Sequence, residues 1–160
     1  MDQKLIDNLF MQQALLLAKS AAEKTEVPVG ALITLNNDIV GKGENCPIRN
    51  NDPSAHAEII ALRNAAKNIQ NYRIPGTTLY VTLEPCIMCM GAIIHARVKR
   101  VVFGAYDPKT GAAGSLYSIG KDNLLNHRIE ITGGLLKDEC SNLLKTFFRT
   151  KRKKNPVCLK

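Results

Sequence analysis

The sequence has 160 residues, of which 45% are hydrophobic and 22% charged, so it suits one globular domain and excludes a disordered or fibrous chain. Its longest apolar run, residues 87–94, is far shorter than the roughly 18 residues that span a bilayer, and no basic-then-apolar leader opens it, so we expect a cytoplasmic protein. The net charge of +8 comes wholly from residues 81–160, with 14 basic and 6 acidic side chains, which favours a polyanion such as nucleic acid or an anionic membrane surface.

Hydrophobic periodicity predicts helices and strands that alternate along the chain. In chain order we predict a helix over 5–22, a β-hairpin over 29–40, a loop over 44–53, a helix over 55–68, a strand over 77–83, a helix from Pro85 to about 96, a strand over 101–105, a loop over 107–123, a strand over 128–132 and a helix over 135–151. This alternation favours one α/β domain with helices on both faces of a central sheet.

The positive charge is concentrated at the C-terminus. Seven basic and no acidic side chains follow from Lys145 onward. We therefore predict a single domain over residues 1–150, followed by a basic tail over residues 151–160. The tail either contacts phosphates or is only a solvated end, and composition leaves both interpretations open.

The five cysteines include one close pair, Cys86 and Cys89. An odd number of cysteines argues against a disulfide framework and favours reduced thiols or metal ligands. Two cysteines at i and i+3 at the start of a helix face the same way, so both sulfurs can reach one ion. Pro85 fits the first position of that helix, where its missing N–H costs nothing. Such a pair is either a redox dithiol or part of a zinc site.

The string His56-Ala57-Glu58 favours zinc over a redox pair. A structural zinc site needs four protein ligands, and the sequence contains no second C-x-x-C pair. Two cysteines with His56 leave the fourth position open for water, as in catalytic zinc sites. Residues i and i+2 diverge by about 200° on a helix, so His56 and Glu58 can share a site only if His56 lies at the mouth of the helix.

Together, H-A-E and P-C-x-x-C resemble the signature of the zinc-dependent cytidine deaminase superfamily. More narrowly, the chain is similar to the bacterial tRNA adenosine deaminase family over nearly its whole length, and the string over residues 107–115 distinguishes this family from the others. The stretches that carry the resemblance are residues 27–31, 45–47, 52–58, 83–86, 104–115 and 147–149.

The resemblance implies a three-layer α/β/α fold around a mainly five-stranded mixed sheet. It also implies a homodimer, with no membrane partner, that converts the wobble adenosine of an arginine tRNA anticodon stem-loop to inosine. Zinc would lower the pKa of its bound water from near 16 toward 7, producing hydroxide. Glu58 would take the water proton, pass it to N1 of adenine and then protonate the departing ammonia.

The resemblance also implies roles for individual residues. His56, Cys86 and Cys89 would bind one Zn²⁺, and Glu58 would be the catalytic residue. Substrate contacts would come from Asn45, which hydrogen-bonds the base, and from Asp107, which lies near the ribose of a neighbouring nucleotide. Tyr106 stands where a basic residue is expected, just before Asp107.

Several residues have a second interpretation from the sequence alone. Glu58 could pair with Arg63, and Asn45 could be a turn residue. Phe148 belongs to a stripe that is typical of a helix facing the core, although we assign it to base stacking.

Two other functions share these motifs: a deaminase of free cytidine or guanine, and a noncatalytic RNA-binding module stabilised by zinc. The one-sided charge argues against the first, and Glu58 argues against the second.

Overall fold

Across residues 2–154, which are the residues that the structure describes, the computed structural model contains five helices and five strands. They are α1 (Gln3–Glu23), β1 (Gly30–Leu35), β2 (Asp38–Glu44), α2 (Pro47–Asn50), α3 (Ala57–Ile69), β3 (Thr78–Leu83), α4 (Ile87–His95), β4 (Arg100–Ala105), β5 (Glu130–Gly133) and α5 (Lys137–Lys154). No helix in this part of the chain is both long and apolar enough to cross a membrane.

The strands form one mixed sheet in the order β2-β1-β3-β4-β5. β1 pairs antiparallel with both β2 and β3, whereas β3, β4 and β5 run parallel to one another. Successive side chains of a strand point to opposite faces, so each strand contributes to two cores. Leu32, Tyr80 and Val102 face a core shared with α1 and α5, while their strand neighbours face a second core shared with α3 and α4. The predicted three-layer α/β/α architecture is confirmed.

The sheet topology brings several chain segments to one edge. Leu83 at the end of β3 is paired with Ala105 at the end of β4, so the segments that follow both strands leave the sheet side by side. Gly30 at the start of β1 is paired with Glu44 at the end of β2, which brings residues 27–29 and 45–47 to the same edge. Clefts at the carboxyl ends of parallel strands are common ligand sites in α/β proteins.

The second strand of the hairpin extends to Glu44, beyond the predicted end at residue 40, although it contains Gly41 and Gly43. A β-carbon at Gly41 would overlap the carbonyl oxygen of Ala61, and one at Gly43 would overlap that of Ala57. These glycines therefore let α3 pack directly on the strand backbone, which fixes the position of the first turn of α3.

Other predicted boundaries also differ from the structure. Residues 47–50 form the short helix α2 inside the predicted loop, because the buried carboxylate of Glu26 accepts hydrogen bonds from the backbone N–H groups of Ile48 and Arg49. Pro85 is not in the first turn of α4, since Cys86 is the N-cap residue and the helix begins at Ile87. Residues 151–154 of the predicted tail continue α5, and residues 155–160 lie outside the described residues.

A buried ion pair joins three elements near the opposite edge of the sheet. The carboxylate of Asp7 on α1 accepts hydrogen bonds from both terminal nitrogens of Arg100 on β4, at 2.8 and 2.7 Å, and from the hydroxyl of Tyr80 on β3 at 2.8 Å. Burial alone would raise the pKa of Asp7, but hydrogen bonds from Arg100, Tyr80 and Gln3 hold it below its usual value. The pair holds α1 against the sheet far from the segments that meet at the other edge.

Candidate metal centre and active site

Two helix N-termini face each other at the edge where β3 and β4 end. His56 is the N-cap of α3 and Cys86 is the N-cap of α4, both in extended backbone conformation, and neither uses its side chain to cap its helix. His56 therefore lies at the mouth of α3, as the spacing of the motif requires. Cys89 lies one turn into α4, so its sulfur returns to the same point as that of Cys86.

The three side chains have the geometry of a metal site. Nδ1 of His56 lies 3.6 Å from Sγ of Cys86 and 3.5 Å from Sγ of Cys89, and all three ligand atoms lie within 4.8 Å of one another. Tetrahedral zinc has bonds of about 2.3 Å to sulfur and about 2.0 Å to nitrogen, which places such donor atoms about 3.5 Å apart. One nitrogen and two sulfurs at this spacing fit Zn²⁺ bound by three protein ligands.

The thiols and the imidazole are mutually polarised. Hydrogen bonding from Cys89, together with His56, lowers the pKa of Cys86 to about 4 even though burial opposes ionisation. The hydrogen bond to Cys86 raises the pKa of His56. The hydrogen bond to Cys86 and, after it, burial raise the pKa of the Cys89 thiol. A pre-formed thiolate at Cys86 is suited to ligate a cation.

Glu58 lies in the first turn of α3, two residues after His56, and is only 4% exposed. Its burial raises its pKa to about 7, a shift that a positive charge on His56 opposes. The alternative ion pair with Arg63 does not form, since Arg63 pairs instead with Asp52 at 3.7 Å. A buried carboxyl group with a pKa near neutrality is suited to exchange protons at physiological pH.

A cavity of about 270 Å³ opens beside these groups, and its size suits a small ligand. It brings together residues from the ends of all the segments that meet at this edge of the sheet. They are Val27, Val29, Asn45, Pro47, His56, Glu58, Leu83, Glu84, Cys86, Asp107 and Thr110.

The structure constrains what Asn45 can offer a ligand. Its Oδ1 accepts a hydrogen bond of 2.8 Å from the backbone N–H of Ala57, the first residue of α3. Because the oxygen is engaged in this way, the amide NH₂ group is the part of the side chain left to contact a bound base. Asn45 is therefore a hydrogen-bond donor held beside His56 and Glu58.

Asp107 and Phe148 are placed differently. Asp107 lines the cavity, and its carboxylate also closes its own turn by accepting hydrogen bonds from the N–H of Lys109 and from the N–H and hydroxyl of Thr110. Phe148 lies on α5 outside the set of residues that line the cavity; it is 43% exposed and packs edge-on against Phe147. The ring of Tyr106 packs edge-on against the ring of Phe103, and the ammonium group of Lys137 lies over the ring of Tyr106.

The sequence did not single out Thr110 and gave no role to Glu84. Thr110 belongs to the string that distinguishes the tRNA adenosine deaminase family, so the resemblance contains a signal for it. Glu84 lies directly before the P-C-x-x-C motif, and no feature of its own segment indicates that it contacts residues more than 20 positions away.

Comparison with known proteins agrees with this geometry. Residues 5–105 match the family described as the cytidine and deoxycytidylate deaminase zinc-binding region. The chain is 53% identical to a tRNA-specific adenosine deaminase of Haemophilus influenzae, over 94% of this chain and 88% of the relative. It is 43% identical to a tRNA-specific adenosine deaminase of Bacillus subtilis, over 96% of each chain. A solved structure from a study of A-to-I editing by tRNA:A34 deaminases matches with a TM-score of 0.81 and 41% identity, over 84% of this chain and 98% of that one.

We expect the purified protein to contain one zinc ion per chain, and Cys89→Ser to lose most of it, because the hydroxyl is a poor replacement for a thiolate ligand. Elemental analysis measures the zinc content, and X-ray absorption should show two sulfur ligands. Cys46→Ser is the matched control, since the buried Cys46 lies outside the ligand cluster. Full zinc content in Cys89→Ser, or four sulfur ligands in the wild type, would contradict this assignment.

Proposed function

The chain belongs to the cytidine and deoxycytidylate deaminase family of zinc-dependent hydrolases, and on this basis we propose that it deaminates the wobble adenosine of a tRNA anticodon loop to inosine. The relatives that are 43% and 53% identical to it are tRNA-specific adenosine deaminases, and they match almost its full length. The resemblance further indicates an arginine tRNA as the substrate.

The observation that carries the proposal is the position of Glu58, a buried carboxyl group on the same cavity as His56 and Cys86, two of the three side chains of the candidate metal centre. A purely structural zinc site has no use for such a group, whereas hydrolysis needs one that can both accept and donate protons. Zinc at a site with three protein ligands supplies Lewis acidity that makes water nucleophilic at neutral pH.

Glu58 serves in two successive proton transfers. Its carboxylate takes a proton from the attacking water and delivers it to N1 of adenine as the C6–O bond forms. It then takes the second proton of that oxygen to the amino group as the C6–N bond breaks, so that adenosine and water give inosine and ammonia. A pKa near the working pH allows one group to carry out both transfers.

Asn45 orients the base for this reaction. Since its Oδ1 is held by the backbone of α3, its NH₂ group donates to an acceptor nitrogen or oxygen on the ring. The same hydrogen bond fixes Asn45 relative to His56 and Glu58, which start that helix. The hydrogen bond from Asn45 therefore holds the base at a fixed position relative to His56 and Glu58.

The location of the basic residues supports an RNA substrate. Lys151 and Lys154 at the end of α5 line a shallow cavity together with Ala22 and Thr25, and Thr25 lies two residues before Val27 in the candidate active site. Positive charge thus lies beside Thr25, which is two residues from Val27 of the reaction cavity. Adenine within a duplex is out of reach of such a cavity, whereas a base in an anticodon loop can be turned out at little cost.

The homodimer that the resemblance implies is part of the proposal. A groove between α3 and α4 is lined mainly by apolar atoms and includes Ile59, Leu62, Tyr72 and Met88. The apolar atoms that this groove exposes, including those of Tyr72, would be removed from water by a second copy. We propose this groove as the surface where the two copies meet.

Incubation with a tRNA that carries adenosine at the wobble position should yield inosine, while free adenosine, cytidine and guanine should not react.

Glu58→Gln should retain zinc and lower kcat by 10²–10⁴-fold, because the amide cannot carry a proton. Wild-type kcat/KM should fall as the pH decreases through the pKa of Glu58, since only the ionised group accepts a proton. Burial is the main cause that raises this pKa to about 7. Deamination of a free nucleobase at a rate equal to that of tRNA would favour the small-molecule enzyme.

Asn45→Asp tests the donor role of Asn45. The aspartate can still accept the hydrogen bond from Ala57, but it presents an oxygen to the base in place of the NH₂ group. We expect zinc to be retained and kcat/KM to fall by roughly tenfold or more, as for loss of a hydrogen bond with repulsion between two acceptors. If kcat/KM of Asn45→Asp stays within about twofold of wild type, Asn45 does not donate to the substrate.

Replacing Lys151, Arg152, Lys153 and Lys154 with Gln should weaken tRNA binding, since all four side chains are exposed at the end of α5. The salt dependence of binding should flatten by roughly 1 to 3 units if two to four of them contact phosphates. Gln at Lys4 and Lys67, which are exposed outside α5, is the control. If the tRNA affinity and its dependence on salt are both unchanged, these four side chains do not contact the RNA and the end of α5 is only solvated.

A further inference from the structure

Glu84 is a buried carboxylate that holds the loop after β4. It is 2% exposed and lies directly after β3. Its Oε1 accepts hydrogen bonds from the N–H of Asp107 at 3.3 Å and from the hydroxyl of Ser115, and its Oε2 accepts from the N–H groups of Ala113 and Ser115, both at 3.1 Å. All four hydrogen bonds come from residues 107–115.

The carboxylate depends on this loop for its stabilisation. No basic side chain between residues 2 and 154 forms a salt bridge with Glu84. Gly111 crosses so close to it that an added β-carbon would overlap Oε2. The loop is also joined to the metal-binding segment, since Ala112 donates to the carbonyl of Pro85 at 2.8 Å and Gly111 forms a β-bridge with Cys86. A buried charge held by backbone N–H groups requires that backbone to remain in place.

This loop supplies one wall of the reaction cavity. Asp107 and Thr110 line the cavity together with Asn45 and Pro47. Thr110 is in turn held by Asp107, whose carboxylate accepts from its N–H and hydroxyl at 3.2 and 2.6 Å. The positions of both side chains therefore depend on where the backbone of Asp107 lies.

We propose that Glu84 is a positioning residue for substrate binding: it fixes the backbone of Asp107 and, through Asp107, the wall of the cavity that contacts the tRNA. The inference rests on the proposed function for its substrate but on the hydrogen bonds of Glu84 for its mechanism. Glu84 lies outside the cluster of metal-binding side chains, and both oxygens of its carboxylate already accept hydrogen bonds from the loop, so we expect it to affect binding rather than proton transfer.

Glu84→Gln separates these two effects. The NH₂ group of glutamine cannot face the two N–H donors at the Oε2 position, whereas the hydroxyl of Ser115 can rotate to accept from it at the Oε1 position. Asp107 then loses its acceptor while Ala113 and Ser115 keep theirs. We expect unchanged zinc content, an increase of about tenfold in KM for tRNA and a decrease in kcat of less than about threefold.

A double-mutant cycle with Asp107→Ala tests whether Glu84 acts through Asp107. In the Asp107→Ala background, Glu84→Gln should change KM by less than about twofold, because the side chain that it positions is already absent. Should the two increases in KM multiply, Glu84 does not act through Asp107. Lower zinc content with unchanged KM would assign Glu84 to the metal centre instead and overturn the proposal.

Hydrogen exchange provides a readout that needs no substrate. Glu84→Gln should accelerate exchange of the Asp107 amide and its neighbours in the loop, but not of amides in α1. The matched control is Glu26→Gln, which removes a buried carboxylate that accepts from Ile48 and Arg49 and should accelerate exchange in α2 alone. Unchanged exchange across residues 107–115 in Glu84→Gln would refute the proposal.

The two proposals fail separately. If wild-type protein forms no inosine in tRNA while Glu84→Gln still accelerates exchange at Asp107, the proposed function is wrong and the role of Glu84 in holding the loop stands. If Glu84→Gln does not fold, Ser115→Ala removes one donor from the same oxygen. It should raise KM by about threefold and accelerate exchange in the same loop, and the absence of both effects would count against the proposal.

Discussion

The candidate site depends on one constraint: two helices must begin at the same point in space. His56 and Cys86 occupy the N-cap positions of α3 and α4, and neither side chain caps its helix. A conventional capping residue stabilises a helix by about 1 kcal/mol, so both helices forgo that stabilisation. In exchange the exposed N–H groups and the helix dipole favour the anionic form of Cys86. Gly41 and Gly43 maintain the meeting point, because they let α3 lie directly on β2.

Buried carboxylates on two sides of the cavity perform the same task. Glu26 holds α2 through the N–H groups of Ile48 and Arg49, and Glu84 holds the loop after β4 through the N–H groups of Asp107, Ala113 and Ser115. Each carboxylate holds in place a segment that has no hydrophobic core of its own. Loops that carry binding residues are more precise when their backbone is held in this way.

The sequence predicts the parts of this molecule that are encoded locally. The spacing of Cys86 and Cys89 is a property of one helical turn, and short apolar runs rich in β-branched residues predict the five strands, although not the second half of β2. The short helix α2 and the roles of Glu84 and Thr110 could not be predicted from local pattern. They depend on hydrogen bonds between residues 22 to 31 positions apart, or on which residues line a cavity. Pro85 was misplaced for a related reason: the N-cap belongs to Cys86, whose position follows from the metal site as well as from helix propensity.

The buried pair of Asp7 and Arg100 lies near the edge of the sheet opposite the cavity, and it joins α1 to β3 and β4 through Tyr80. Breaking such a pair leaves an uncompensated buried charge and costs about 3–5 kcal/mol, a large share of the stability of a single domain. Natural variation at this edge therefore changes how many folded molecules a cell contains, because unfolded chains are removed by proteases. Variation at the edge with the cavity changes what each folded molecule does. Inherited loss of activity in this protein can accordingly arise in two ways, and a measurement of protein abundance distinguishes them.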